Sequence, residues 1–152
     1  EYLRYNMRSQ IFAKAMPLPL VVGAIKRLKL IRNHPEFKDK LWEITNALQT
    51  GLKKAGFEIG PTNTCVTPVY LNGSIPESTN LIYDLRENYH IFCSIVVYPV
   101  IPKGDIIYRL IPTASHSFED VDETLVAFEA VKKKLDAGLY KAADIPDMAE
   151  KS

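Results

Sequence analysis

Two stretches near the start of the chain repeat apolar residues at the three- and four-residue spacing of an amphipathic helix. The first begins at Pro17, and the second begins at Pro35 and ends near Gly56. Proline suits the first turn of a helix and glycine commonly follows the last turn, so both stretches predict helices. The apolar positions are Leu18, Val21, Val22, Ile25 and Leu28 in the first helix, and Phe37, Leu41, Ile44, Leu48 and Leu52 in the second.

Capping residues predict two more helices. Ser74 and Glu77 have the spacing of a capping box, and Ser117 with Asp120 marks the start of the last helix, which Gly138 follows. The inward positions are Leu81, Ile82, Leu85 and Tyr89 in one helix, and Val121, Leu125, Phe128, Val131 and Leu135 in the other. All four helices therefore need an apolar surface to cover them.

Three short segments have the β-branched and apolar composition of strands. Residues 65–71 include Pro68, which cannot donate a ladder hydrogen bond, so this segment predicts an edge strand. Residues 91–98 form a continuous apolar run, which predicts a central strand covered on both faces, and residues 106–111 have the same character.

The order of these elements predicts an α+β fold. Helix, helix, strand, helix, strand, strand, helix is typical of a two-layer sandwich, in which helices cover a small, mostly antiparallel sheet of three or four strands. We expect one domain over residues 1–140 and a loose tail over residues 141–152, because that end is polar and rich in small residues.

Composition narrows the class of protein. The chain has 152 residues, 47% of them hydrophobic, and a formal net charge of +1. A chain of this length and hydrophobic content can bury one core, and its net charge is too small to attract nucleic acid or an anionic membrane. No apolar run reaches the roughly 18 residues of a membrane span. Cys65 and Cys93 lie in apolar runs and predict unreactive thiols of an intracellular protein, so we expect a cytoplasmic location.

Arg109 is the residue with the clearest chemical potential. The sequence contains no Ser-His-Asp arrangement, phosphate loop or metal-ligand spacing, so neither a self-contained enzyme nor a metal site is predicted. Arg109 lies inside an apolar strand, where its guanidinium needs a protein carboxylate, a ligand carboxylate or an exit to water. The residues alone favour an edge-strand arginine that reaches solvent or pairs internally, and leave a ligand carboxylate as the alternative.

The segment around Arg109 resembles a known family. Residues 98–104 read Tyr-Pro-Val-Ile-Pro-Lys-Gly, and after Arg109 come Ala114-Ser115-His116. This pattern is similar to the C-terminal signature of the α-oxoamine synthases, which are pyridoxal-phosphate enzymes. Shorter matches resemble the 2-amino-3-ketobutyrate coenzyme A ligase branch, so that the resemblance spans about residues 1–135: Leu3-Arg4, Arg8-Ser9, Phe12, Leu41-Trp42, Ala55-Gly56-Phe57 and Pro68-Val69.

The chain also departs from the family pattern at two positions. Ile107 stands where family members often carry a second arginine, and His90 stands where glycine is common. These departures leave the branch of the family and the preferred acyl chain open.

The resemblance implies roles for particular residues. Arg109 aligns with the arginine that grips the α-carboxylate of the amino-acid substrate. The loop residues that would aim it are Tyr98, Pro99, Pro102 and Gly104. His116 and Arg8 are minor candidates, because a histidine before a helix cap is more often structural and Arg8 could equally be a surface residue. No catalytic residue is expected here, since the family's Schiff-base lysine would precede Glu1.

The expected function is therefore that of a C-terminal domain of a larger enzyme. The resemblance implies condensation of glycine with acetyl-coenzyme A, with serine palmitoyltransferase or another α-oxoamine synthase as alternatives within the family. A free-standing amino-acid-binding or interaction module is the alternative from another class. We expect pyridoxal phosphate in a homodimeric parent, residues 1–16 in contact with its large domain, and neither cofactor nor turnover in this chain alone.

Overall fold

The computed structural model describes residues 1–13, 15–102 and 105–141, and the chain divides into two compact units. The first unit is Glu1–Phe37 and the second is Lys38–Ser152. Among the described residues, no helix combines the length and apolar character needed to cross a bilayer.

The first unit is helical and buries very little. It contains α1 (Tyr2–Asn6), α2 (Arg8–Ile11) and α3 (Leu18–Asn33), none of which has a buried residue. The helix α3 was predicted from its apolar spacing, whereas α1 and α2 were not, because four or five residues are too few to show a periodic stripe. Large apolar side chains are exposed along this unit: Tyr2, Leu3, Tyr5, Ile11, Phe12, Met16, Leu18, Leu20, Val22, Ile25, Leu28 and Ile31.

The second unit is built on a three-stranded antiparallel sheet. Its strands are β1 (Thr67–Tyr70), β2 (Ser94–Val96) and β3 (Ile107–Leu110), in the spatial order β1-β3-β2. The α+β prediction is confirmed, and so is the placement of the proline-containing strand β1 at an edge.

The predicted position of the most apolar segment was wrong. We expected residues 91–98 to form a central strand covered on both faces, but β2 has three residues and lies at an edge of the sheet. The central strand is β3, which carries Arg109. Apolar content reflects burial by helices and loops as well as by sheet neighbours, so it does not fix the order of strands.

Three long helices supply the rest of the core. They are α4 (Pro35–Lys54), α5 (Ile75–Tyr89) and α6 (Phe118–Asp136). The predicted capping box at Ser74 is present, since Ser74 N–H donates to Glu77 at 2.8 Å. The predicted helix start at Ser117 is also a capping box, since Ser117 N–H donates to Asp120 at 2.7 Å. The core joins residues of all three helices to inward residues of the sheet: Ile44, Leu48, Leu52, Leu81, Leu85, Val121, Phe128, Val131, Val69, Tyr108 and Leu110.

Two turns show why particular residues end the helices. His90 follows α5 with a φ of 56°, in the left-handed region that glycine adopts most easily, which explains why glycine suits this position. Gly138 follows α6 with a φ of 71°. Beyond it, Tyr140 is buried, and the predicted loose tail lies outside the described residues from position 142 onward.

Candidate functional site

Strand β3 separates buried from exposed side chains residue by residue. Tyr108 is fully buried and Leu110 is 5% exposed, whereas Arg109 between them is exposed. Successive side chains of a strand point to opposite faces, so Arg109 lies on the face directed away from the core. We call this the outer face, and on the three strands it consists of Pro68, Tyr70, Ser94, Val96, Ile107 and Arg109.

Arg109 is at the centre of this outer face. Its directly opposite neighbours are Pro68 on β1 and Ser94 on β2. Ile107, the other residue of β3 on this face, is opposite Tyr70 and Val96. A single cation therefore stands among apolar, aromatic and hydroxyl side chains.

Arg109 was expected to be an edge-strand residue that reaches solvent or pairs internally; the edge position was wrong, whereas the side chain does reach solvent. It lies on the central strand, and it makes no salt bridge with any described carboxylate. Glu58 borders the outer face through a bridge to Tyr70, but its carboxylate accepts a hydrogen bond from Gly60 N–H at 2.7 Å. Within the second unit Arg109 has the exit to water, because the core residues of that unit lie on the opposite face of the sheet.

Ser94 provides the side-chain hydrogen bond of Arg109. The guanidinium Nε donates to Ser94 Oγ at 3.2 Å, and among the described residues neither side chain makes another hydrogen bond. The two terminal nitrogens of Arg109 therefore have no protein acceptor within the described part of the chain. Their planar arrangement matches the two oxygens of a carboxylate, so this site can bind a carboxylate through two parallel hydrogen bonds.

Sequence reasoning missed Ser94. It is the polar residue within the apolar run of residues 91–97, which was a usable signal. Its pairing with Arg109 depends on the register between β2 and β3, and the sequence does not specify that register.

The described structure includes three of the four loop residues that were predicted to aim Arg109. Tyr98, Pro99 and Pro102 are exposed, and the Tyr98-Pro99 peptide bond is cis. Gly104 lies outside the described residues. The loop connects β2 directly to β3, but its role in aiming Arg109 stays a prediction.

The minor candidates have separate surroundings. His116 Nδ1 accepts a hydrogen bond from Thr113 N–H at 2.9 Å, which is a structural role just before the cap of α6. It borders a groove of about 480 Å³ whose lining includes the core residues Ile44 and Leu110. Arg8 is exposed on α2 in the first unit.

Neither Cys93 nor Lys134, two described groups whose pKa values are shifted, has the shift that a nucleophile needs. Burial raises the pKa of the Cys93 thiol to about 11, so Cys93 is an unreactive thiol as predicted. The Lys134 ammonium is held by Asp84 at 2.7 Å, and this hydrogen bond raises the pKa of Lys134. A lysine that attacks a carbonyl needs the opposite shift.

Comparison with known proteins gives a consistent picture. No protein-family model matches the chain. Over 142 residues, or 93% of this chain, it is 61% identical to a cysteate-C-fatty acyltransferase of Capnocytophaga ochracea, of which it covers 34%. Over 137 residues, or 89% of this chain, it is 32% identical to an 8-amino-7-oxononanoate synthase of Thermoanaerobacter pseudethanolicus, again covering 34%.

A solved structure supports the same fold. Serine palmitoyltransferase of Sphingomonas wittichii superposes with a TM-score of 0.76, covering 90% of this chain and 34% of that one, at 24% identity. The chain thus spans about one third of the length of the proteins that it matches.

Proposed function

We propose that this chain is part of a pyridoxal-phosphate-dependent acyltransferase of the α-oxoamine synthase family. Its sequence similarity to a cysteate-C-fatty acyltransferase and to an 8-amino-7-oxononanoate synthase, and the fold that it shares with a serine palmitoyltransferase, support this proposal. In this proposal the complete enzyme transfers an acyl group from coenzyme A to the α-carbon of an amino acid: the α-carbon loses its proton, the thioester bond breaks and free coenzyme A leaves. The observation that carries the proposal for this chain is Arg109, whose terminal nitrogens face away from the core without a described protein acceptor.

Arg109 would bind the α-carboxylate of the amino acid. Its guanidinium can donate two parallel hydrogen bonds to the two oxygens, which fixes the plane and direction of the carboxylate. Orienting the substrate in this way lowers the entropic part of the barrier, because the reacting bond is already aligned when the acyl donor arrives. Arg109 is therefore proposed as a substrate-positioning group, and the bond-making chemistry would occur elsewhere in the enzyme.

The described residues fit the substrate better than they fit the cofactor. Pyridoxal phosphate supplies an electron sink for bonds to the α-carbon when it is bound. The resemblance in sequence implies that the lysine that holds it lies outside this chain, and Lys134, whose pKa is raised by its hydrogen bond to Asp84, is not suited to that role. We propose that the rest of the enzyme holds the cofactor, and we expect this chain alone to show no turnover.

The outer face would form one wall of the active site. Within the described part of the second unit the core lies on the opposite face, and the outer face combines one cation with apolar neighbours such as Ile107 and Val96. The relatives are about three times as long as this chain, so they contain further polypeptide that could form the opposite wall. A cleft between two parts of a protein is a common place for a substrate site.

The exposed apolar residues of the first unit would contact the same missing polypeptide. Ile11 is 49% exposed, Phe12 80% and Met16 64%, and these lie within residues 1–16. Leu18 on α3 is 71% exposed as well. So many exposed large apolar side chains in one unit are typical of an interaction site, and we propose that they pack within a homodimeric complete enzyme.

Two pairs of substrates are candidates for the complete enzyme. The resemblance in sequence predicted glycine with acetyl-coenzyme A. The relative at 61% identity is named for cysteate and a fatty acyl group, which favours cysteate with a long acyl donor. We propose the second pair because the relative named for it is 61% identical to this chain over 142 residues.

A substrate panel on the complete enzyme tests this proposal. Cysteate, serine and glycine would each be supplied with acetyl- and palmitoyl-coenzyme A, and release of free coenzyme A would be measured. The proposal predicts the highest kcat/KM for cysteate with palmitoyl-coenzyme A. Highest kcat/KM for glycine with acetyl-coenzyme A would select the other pair, and no coenzyme A release with any combination would refute an acyltransferase.

A further inference from the structure

We propose that Ser94 is a positioning residue that fixes which edge of the Arg109 guanidinium meets the substrate carboxylate. This inference rests on the proposed role of Arg109 and extends it to a residue that touches no substrate. Ser94 would act by holding Nε, so that the two terminal nitrogens face the substrate.

The register of the sheet gives Ser94 this role. Arg109 is directly opposite Pro68 on one side and Ser94 on the other. The side chain of Pro68 has no hydrogen-bonding atom, so Ser94 is the cross-strand neighbour able to accept from Arg109. The observed bond from Nε to Oγ, 3.2 Å long, uses that possibility.

The geometry of guanidinium then decides what remains available. A carboxylate can bind bidentately along the edge formed by Nε and one terminal nitrogen, or along the edge formed by both terminal nitrogens. The bond to Ser94 occupies the first edge. The second edge is left for the substrate, which gives the carboxylate one orientation in place of two.

This bond also limits the motion of a long side chain. Arg109 is exposed, so packing alone does not select one rotamer. Ser94 belongs to a strand that is hydrogen-bonded to β3, so its Oγ is a fixed point relative to the backbone of Arg109. Removing the bond should weaken substrate binding without changing the fold, because it lies on the outer face and away from the core.

The test compares two substitutions of equal shape in the complete enzyme carrying pyridoxal phosphate. Ser94→Thr retains the hydroxyl and Ser94→Val removes it, and both residues favour a strand. Losing one hydrogen bond of this kind should raise the KM for the amino acid about three- to tenfold in Ser94→Val. The KM for the acyl donor should stay constant, and Ser94→Thr should behave like the wild type.

Three controls make the result specific. Thr79 is exposed on α5 and its hydroxyl donates to Ile75 O at 2.9 Å, so Thr79→Val removes a hydroxyl away from the outer face and should change neither KM. Taurine, the amine that cysteate would leave without its carboxylate, should bind equally to wild type and Ser94→Val. Arg109→Gln should raise the amino-acid KM more than Ser94→Val does.

The results distinguish the positioning role of Ser94 from the binding of the carboxylate by Arg109. If Arg109→Gln raises the amino-acid KM and Ser94→Val does not, the positioning role is wrong and the proposed function stands. An equal rise in Ser94→Thr and Ser94→Val would also contradict the role, because the hydroxyl would then be irrelevant. If Arg109→Gln has no effect on this KM, the carboxylate-binding proposal itself fails.

Discussion

Replacing Asp84 by Asn should destabilise the protein in a way that depends on pH. The Asp84 carboxylate on α5 accepts hydrogen bonds from the Lys134 ammonium at 2.7 Å, from the Tyr140 hydroxyl at 2.5 Å and from the Asn88 amide at 2.7 Å. These bonds tie α5 to α6 and to the segment after it. Asp84→Asn keeps the shape of the side chain and removes its charge.

The size of the effect follows from the exposure of the two charged partners. The Asp84 side chain is 10% exposed and that of Lys134 is 36% exposed. A hydrogen bond between charged groups contributes about 1.5–3 kcal/mol, and the partial exposure of Lys134 places this pair toward the lower half of that range. We expect Asp84→Asn to lower the free energy of unfolding by about 2 kcal/mol at pH 7, or the midpoint of thermal unfolding by about 6 °C.

The destabilisation caused by Asp84→Asn should depend on pH. Burial raises the pKa of Asp84, but the hydrogen bonds from Lys134, Tyr140 and Asn88 outweigh it and hold the pKa below the usual 3.8. A carboxyl group with a lowered pKa stabilises the folded state above its unfolded pKa, and this stability is lost as pH falls through the folded value. The difference between wild type and Asp84→Asn should therefore be full at pH 7 and shrink progressively below about pH 4.

Urea unfolding at pH 7, 5 and 3, followed by circular dichroism, measures this difference. Asp122 is exposed on α6 and forms no salt bridge within the described residues, so Asp122→Asn is the matched control and should change stability by less than about 0.5 kcal/mol. An equal loss of stability in Asp84→Asn at pH 3 and pH 7 would refute the reasoning, because the contribution of Asp84 to the stability of the wild type should already have fallen at pH 3, below the pKa of the unfolded carboxyl.

Three further predictions concern packing, a turn and the exposed apolar surface. A Cβ at Gly51 would overlap the Leu125 side chain, so Gly51→Ala should destabilise the wild type by about 1 kcal/mol. In a Leu125→Ala background the overlap is gone, and the same substitution should stabilise the protein because alanine favours a helix. Urea unfolding measures both effects, and a change of the same sign in both backgrounds would contradict this prediction. His90→Gly should raise the free energy of unfolding by about 1 kcal/mol by relieving the positive φ, whereas a loss would contradict the left-handed turn. Because Phe12 and Leu18 are exposed, light scattering should show that the chain self-associates. The double variant Phe12→Gln with Leu18→Gln should self-associate less, and a strictly monomeric wild type would contradict the proposed interaction site.

The sequence was most informative where local chemistry determines structure. The helix starts at Ser74 and Ser117 depend on side chains three residues apart, so a short stretch of sequence contained all the necessary information. The edge position of β1 followed in the same way from Pro68, which cannot join a ladder on both sides.

Features set by strand pairing were harder to predict. Residues 91–98 are apolar enough for a central strand, but the sheet places β3 between its two neighbours. Arg109 was identified as unusual, yet its exposure depends on which face of the sheet the helices cover. Ser94 gained significance only through its register with Arg109, which is a contact between residues distant in sequence.

The binding of cysteate and taurine to the complete enzyme tests most directly whether Arg109 holds the substrate carboxylate. These two ligands differ only in that carboxylate, and binding can be followed by the absorbance of the cofactor. Two charge-assisted hydrogen bonds, partly offset by desolvation, should make cysteate bind about 30- to 150-fold more tightly than taurine in the wild type. Arg109→Gln should reduce this preference to about threefold or less, whereas a variant that kept the full preference would contradict the account.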